Sequence, residues 1–321
     1  MQTEELTVTG DDGKPIAVYR WTPDREAHAI VQIVHGMAEH ARRYAPLARV
    51  LCAGGYAVFA QDLRGHGRSI QSPAEKGHLA DEGGWARVLG DVEAVRQRAR
   101  EAHPGAPICL LGHSGGSFVS QDFVSAHPHA YQGLVLSGSN VGGGPLVALG
   151  RVIARLERLR QGPRGRSALI DTMSFGGFNK AFAPARTRFD WLSRDEAIVD
   201  AYLADPLCGF RCTNQFWIDL LDALARISTP EALASFPRDL PIYVLAGSRD
   251  PVSRGTRGLV ALLAAFRRAG LTNVTHEFFP EARHEIFNET NRDEVFAKLV
   301  AWLDANVAGR SRAAEEKRAS T

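Results

Sequence analysis

Short apolar runs rich in β-branched residues recur through the first 140 residues, at 6–8, 16–19, 29–34, 56–60, 108–111 and 133–136. The first two flank Asp11-Asp12-Gly13, turn chemistry that predicts a hairpin. The later runs are apolar at successive positions rather than at every second one, as strands covered on both faces must be. Between them the spacing predicts helices over 43–53, 85–102 and 117–126. Strand–helix alternation of this kind predicts an α/β protein with a mostly parallel central sheet flanked by helices.

The rhythm stops near Ser139. Residues 140–229 show helical stretches at 146–160, 194–204 and 213–225, separated by Gly- and Pro-containing loops, with no strand pattern. The alternation resumes with a strand at 242–246, a helix at 255–269, a strand at 274–279 and a helix at 293–307. The expected organisation is a core of residues 1–139 and 230–308 interrupted by a helical cap, or lid, of residues 140–229. Residues 309–321, small and charged, are expected to form a flexible tail.

Composition narrows the function classes. With 321 residues, 45% of them hydrophobic, the chain can bury a large core. Its 38 Lys+Arg against 36 Asp+Glu leave a formal charge of +2, which excludes a nucleic-acid binder. No run approaches the ~20 apolar residues of a membrane-spanning helix. Met1-Gln2-Thr3-Glu4-Glu5 lacks the basic start and apolar core of a secretion signal. Cys52, Cys109, Cys208 and Cys212 are too sparse for a disulfide framework and fall in no metal-type spacing. A cytoplasmic protein with reduced thiols is the expectation.

The informative segment is Gly112-His113-Ser114-Gly115-Gly116, between the apolar run at 108–111 and a helical stretch. Glycines around Ser114 permit a strained strand-to-helix turn that exposes a hydroxyl, with the Gly115 N–H facing a developing oxyanion. The alternative reading of these residues is a glycine-rich connector in which Ser114 caps the helix. A serine nucleophile needs a base, and the base an orienting acid. On a strand–turn–helix of this type the partners follow in the order acid, then histidine. Asp250 follows the run at 242–246, and His284 follows the one at 274–279, ahead of the last helix. His35-Gly36-Met37-Ala38 follows the run at 29–34 and offers a second oxyanion donor, the Met37 N–H. Asp62, Arg64, His66 and Arg68, after another strand, read as a network fixing loops beside the site.

Taken together, His35-Gly36-Met37-Ala38-Glu39-His40, Asp62-Leu63-Arg64-Gly65-His66-Gly67, Gly112-His113-Ser114, Gly247-Ser248-Arg249-Asp250-Pro251-Val252 and Arg283-His284-Glu285 resemble the α/β-hydrolase superfamily. The likeness is to its monoacylglycerol lipase and lysophospholipase-like branch, also described as serine aminopeptidase-like hydrolases. The resemblance implies ester hydrolysis through an acyl-enzyme on Ser114, with Asp250 and His284, and with no metal or organic cofactor. It also implies a cap that shapes access to the site. Members of the branch usually carry methionine after the nucleophile; here Gly115 stands there, and a wider acyl pocket is expected.

The small-molecule partner is then an acyl ester. Phe178, Asn179 and Asn214 are the cap residues expected to meet it. On the helix at 146–160, Leu146, Leu149, Ile153 and Leu156 recur at helical spacing, while Arg151, Arg155, Arg158 and Arg160 occupy the remainder, with Arg164 and Arg166 following. This stretch reads either as a solvated helix packed on the sheet domain or as a cap surface in peripheral contact with lipid interfaces. Two other functions share the scaffold. A peptidase of the aminopeptidase or iminopeptidase kind needs free acidic groups for an α-amine, and a catalytically silent binding protein needs no triad.

Overall fold

The computed structural model describes residues 1–309; the tail beyond lies outside the described residues. Its centre is an eight-stranded sheet in the order β1-β2-β4-β3-β5-β6-β7-β8. Strands β1 (Gln2–Thr9) and β2 (Pro15–Thr22) form the antiparallel hairpin, and β2 pairs antiparallel with the fourth strand. From β3 (Ala29–Val34) onward the neighbouring pairs are parallel.

Helix α1 (Ala45–Gly54) leads to β4 (Tyr56–Gln61), α2 (Gly84–Ala102) to β5 (Ile108–His113), and α3 (Gly115–Ala126) to β6 (Gly133–Ser137). Strands β3, β4, β5 and β6 are buried at every position, as their unbroken apolar runs require. Two apolar clusters result, one on each face of the sheet.

Four helices follow β6: α4 (Gly144–Gln161), α5 (Ala168–Phe175), α6 (Glu196–Ala204) and α7 (Asn214–Arg226). They form the helical cap insertion of an α/β-hydrolase fold. The short α8 (Pro230–Ala234) leads back to β7 (Ile242–Gly247), α9 (Arg257–Arg268), β8 (Val274–Phe279) and α10 (Arg292–Leu303). Among the described residues no helix is long and apolar enough to cross a membrane.

Helix α4 differs from the simple amphipathic reading. Its inner face is narrow and made of small residues: Ala154 is fully buried and Gly150 sits against Leu221 of α7. Of the four periodic apolar residues only Ile153 packs on the core; Leu146, Leu149 and Leu156 face solvent together with Val152 and Leu159. Small residues let α4 and α7 approach closely, and the bulky leucines are left outside.

Candidate active site

Parallel strands deliver their loops to one edge of the sheet, at the carboxyl ends of the strands. Val34 lies beside Gly112 and His113 beside Ser137, so the segments that leave β3, β5 and β6 are brought together there. Ser114 occupies this edge with φ 52° and ψ −121°, a strained conformation for a residue with a side chain. The turn survives because Gly112 and Gly116 have no Cβ. One on Gly116 would collide with the Val34 carbonyl, and one on Gly112 with the Gly116 carbonyl and the Ser120 hydroxyl.

His284 arrives from the loop after β8 and Asp250 from the loop after β7. The imidazole Nδ1 lies 2.9 Å from Asp250 Oδ1, and both residues are buried. The same carboxylate oxygen accepts the Val252 N–H at 2.8 Å, while Oδ2 has no partner among the described residues. Burial disfavours a charge on the imidazole, but the Asp250 carboxylate outweighs it, and the pKa of His284 stands above its ordinary value. His113 is held well below its own by burial and by the neighbouring His284. The His284 ring packs 4.8 Å from His113 and 5.1 Å from Trp191 of the cap. Behind it Gly138 has φ 56°, and a Cβ there would sit 2.9 Å from His284 Cε1.

The sequence pattern of the family described as serine aminopeptidase, S33, matches residues 25–291. The chain belongs to that family. The monoacylglycerol lipase of Mycolicibacterium smegmatis is 30% identical over 307 residues, covering 93% of this chain and 96% of that one. Human monoglyceride lipase is 29% identical over 289 residues, 87% of this chain and 86% of that one. Among solved structures, a highly thermostable carboxyl esterase from Bacillus coagulans in complex with glycerol matches with a TM-score of 0.87 at 26% identity, covering 96% and 99% of the two chains.

In this α/β-hydrolase the Met37 and Gly115 backbones face one another. An ideal Cβ on Gly115 would lie 3.3 Å from Met37 N. That direction differs from the expected widening of the acyl pocket, since a side chain at 115 begins against the Met37 peptide. Among the described residues no acceptor takes the Met37 N–H or the Gly115 N–H.

A clamp that sequence reading missed sets the loop carrying Met37. Glu39 accepts the Gly36 N–H at 2.7 Å and the Tyr44 hydroxyl at 3.0 Å. Arg43 donates to Glu39 at 2.7 Å and, with two nitrogens at 2.6 Å each, to Glu285, the residue after His284. Burial pushes the Glu285 carboxyl up, yet Arg43 prevails and holds it below its ordinary value. The four-residue spacing of Glu39 and Arg43, and an acid next to the histidine, were the available signals. Tyr202 of α6 completes the clamp: its ring lies 4.8 Å from the Arg43 guanidinium and its hydroxyl donates to the Ala38 carbonyl at 2.9 Å.

The network read from Asp62 lies one loop away. Asp62 accepts the Ala41 and Arg68 N–H groups at 2.7 Å each, and His35 Nε2 accepts the Leu63 N–H at 2.9 Å. Burial therefore keeps His35 neutral, well below its ordinary pKa, with Nδ1 toward the Gly36 carbonyl.

A cavity of about 280 Å³ opens over Ser114 and His284. Phe175, Phe189, Trp191, Phe210 and Trp217 supply its apolar wall, and Met37 stands at its floor. Asn179 also lines it, but its amide is engaged, donating to the Thr187 carbonyl at 2.6 Å and accepting the Trp191 N–H at 2.9 Å. Phe178 stands behind the wall, packed 4.9 Å from Trp191. Asn214 is placed elsewhere: fully buried at the start of α7, it donates to the Glu157 and Gly162 carbonyls. Its polarity serves the cap's own backbone, which removes it from the residues that meet a head group.

Proposed function

We propose that this hydrolase cleaves carboxylic esters of the monoacylglycerol or lysophospholipid type through an acyl-enzyme on Ser114. The observation that carries the reading is a histidine held by a buried carboxylate, set beside a serine on a strained turn at the floor of an apolar cavity. His284 takes the Ser114 proton as the hydroxyl oxygen attacks the ester carbonyl, and Asp250 stabilises the imidazolium that forms. The Met37 and Gly115 N–H groups receive the oxyanion. His284 returns the proton to the leaving alcohol, and water repeats the sequence on the acyl-enzyme.

The cavity volume is just below the ~300–1,000 Å³ typical of small-molecule sites. That suits one acyl chain. The acids that line it are already paired, Glu39 and Glu285 with Arg43 and Asp171 with Arg211, so none is free to hold a peptide's α-amine. This favours esters over peptides. Arg188, exposed at the rim, favours substrates with an anionic head group as a second choice.

Peripheral contact with lipid belongs to the same proposal, carried by leucines rather than arginines. Arg151 and Arg155 pair with Asp222, Arg160 with Glu157, and Arg164 with Asp81. Leu146, Leu149, Val152, Leu156 and Leu159 are exposed, and Leu169 and Met173 extend the face along α5, whose Thr172 and Phe175 line the cavity. Four free thiols support a cytoplasmic location.

A glyceryl monoester series, short to long, with a lysophospholipid series beside it, tests the proposal against Ser114→Ala. Hydrolysis that peaks at medium or long chains and disappears in Ser114→Ala is expected. Undiminished ester hydrolysis in Ser114→Ala, or turnover confined to aminoacyl amides, overturns it.

A further inference from the structure

The junction between the cap and the loop carrying Met37 contains three donors that sequence spacing conceals, because they come from positions 40, 205 and 208. His40 Nε2 lies 2.8 Å from Asp205 Oδ2, and the Cys208 sulfur completes a group whose ligand atoms all lie within 4.8 Å of one another. His40 and Cys208 are buried, and Asp205 is half-buried.

The backbone around these donors is already held. Asp205 Oδ1 accepts the Leu207 N–H at 2.8 Å, which turns Oδ2 toward His40. The Cys208 N–H bonds to the Asp205 carbonyl at 3.0 Å, and the Gly209 N–H to the Ala38 carbonyl at 2.9 Å. Arg43 is the nearby cation, and its charge is matched by Glu39 and Glu285. An imidazole nitrogen, a thiolate and a carboxylate are the ligand types of zinc, and three protein ligands leave a fourth position for water.

We propose that His40, Asp205 and Cys208 form a binding site for Zn²⁺ or a similar thiophilic divalent cation, which ties the cap to the oxyanion loop. The ion takes the place of the His40–Asp205 hydrogen bond. Ligation through His40 Nε2 places the ring proton on Nδ1. The thiol gives up its proton to solvent, so one proton leaves for each ion bound. The site lies outside the Ser114–His284 cavity wall except for the backbone that it shares with Ala38 and Gly209.

Cobalt titration of the whole protein tests the site without relying on turnover. One equivalent of Co²⁺ is expected to produce a thiolate-to-cobalt charge-transfer band that Zn²⁺ displaces, with one proton released. Cys208→Ser and Asp205→Asn are expected to lose the band, while Cys212→Ser keeps it. Labelling of Ser114 by a fluorophosphonate probe identifies variants that remain folded, and Asp205→Asn serves if Cys208→Ser does not. No band in the unmodified protein, or a band that survives in folded Cys208→Ser or Asp205→Asn, overturns the proposal. A second reading is hydrolysis that Zn²⁺ slows and EDTA restores. Equal inhibition in Cys208→Ser places that effect at another site and counts against a cation at His40, Asp205 and Cys208.

Discussion

The sheet core and the helical cap hold their polar groups by different means. At the sheet edge, Asp250, His284, Glu39 and Glu285 are buried and Arg43 is partly buried, and short charge-assisted bonds set their positions. On the cap, the pairs Arg186–Asp200 and Arg155–Asp222 lie largely in solvent, where each contributes little. The cap also leaves a row of leucines outside, whereas among the described core residues only Met1 and Val260 are exposed large hydrophobics. The residues set for chemistry are thus held by buried pairs, and the cap's polar groups by exposed ones.

The comparison breaks first at the triad. Asp250→Asn should lower kcat by about 10⁴-fold, because the imidazole loses its orienting charge. In the unaltered protein, kcat/KM should fall on the acid side, since only neutral His284 accepts the Ser114 proton. The raised pKa moves that fall to a pH above the ~6.5 of an ordinary histidine. A fall centred below that value would contradict the Asp250 contribution.

Next comes the clamp. Arg43→Ala leaves Glu39 and Glu285 buried without their cation, a change that destabilises folded proteins by about 3–5 kcal/mol. In protein that remains folded, kcat should drop by about 10²-fold with KM little changed, as befits loss of the donor geometry at Met37. Arg43→Lys should recover only part, because an ammonium cannot make the bidentate bond to Glu285. A change confined to KM would show that Arg43 positions substrate instead.

The smallest effect belongs to the cap surface. Leu149→Glu should reduce hydrolysis of vesicle-borne monoester by about tenfold, in line with the lower end of the ~1.5–3 kcal/mol gained on burying one leucine. Hydrolysis of a soluble short-chain ester should not change. Equal loss on both substrates would make α4 a structural element only.

Much of the core was legible because a buried parallel strand has to be apolar throughout and a strained serine turn has to be flanked by glycine. Ser114, Asp250 and His284 could be placed by their strands alone. Asn214 and α4 were harder. A helix N-terminus offers an asparagine many partners, and only packing directed its amide to the Glu157 and Gly162 carbonyls. Periodicity shows that α4 has an apolar face without saying whether that face or the small-residue face of Gly150 and Ala154 turns inward.

The amino-acid sequence by itself determined which segments are strands, the order of the chemical residues along the chain and the turn that exposes Ser114, since each follows from local patterning. Tertiary structure alone decided that Arg43 would join Glu39 to Glu285, and that Asp205 and Cys208 would meet His40. The long-range pairings span 165 residues of chain for His40 and Asp205 and 242 for Arg43 and Glu285. Local patterns are silent over such separations, because the groups meet only when segments far apart in the chain pack at the sheet edge.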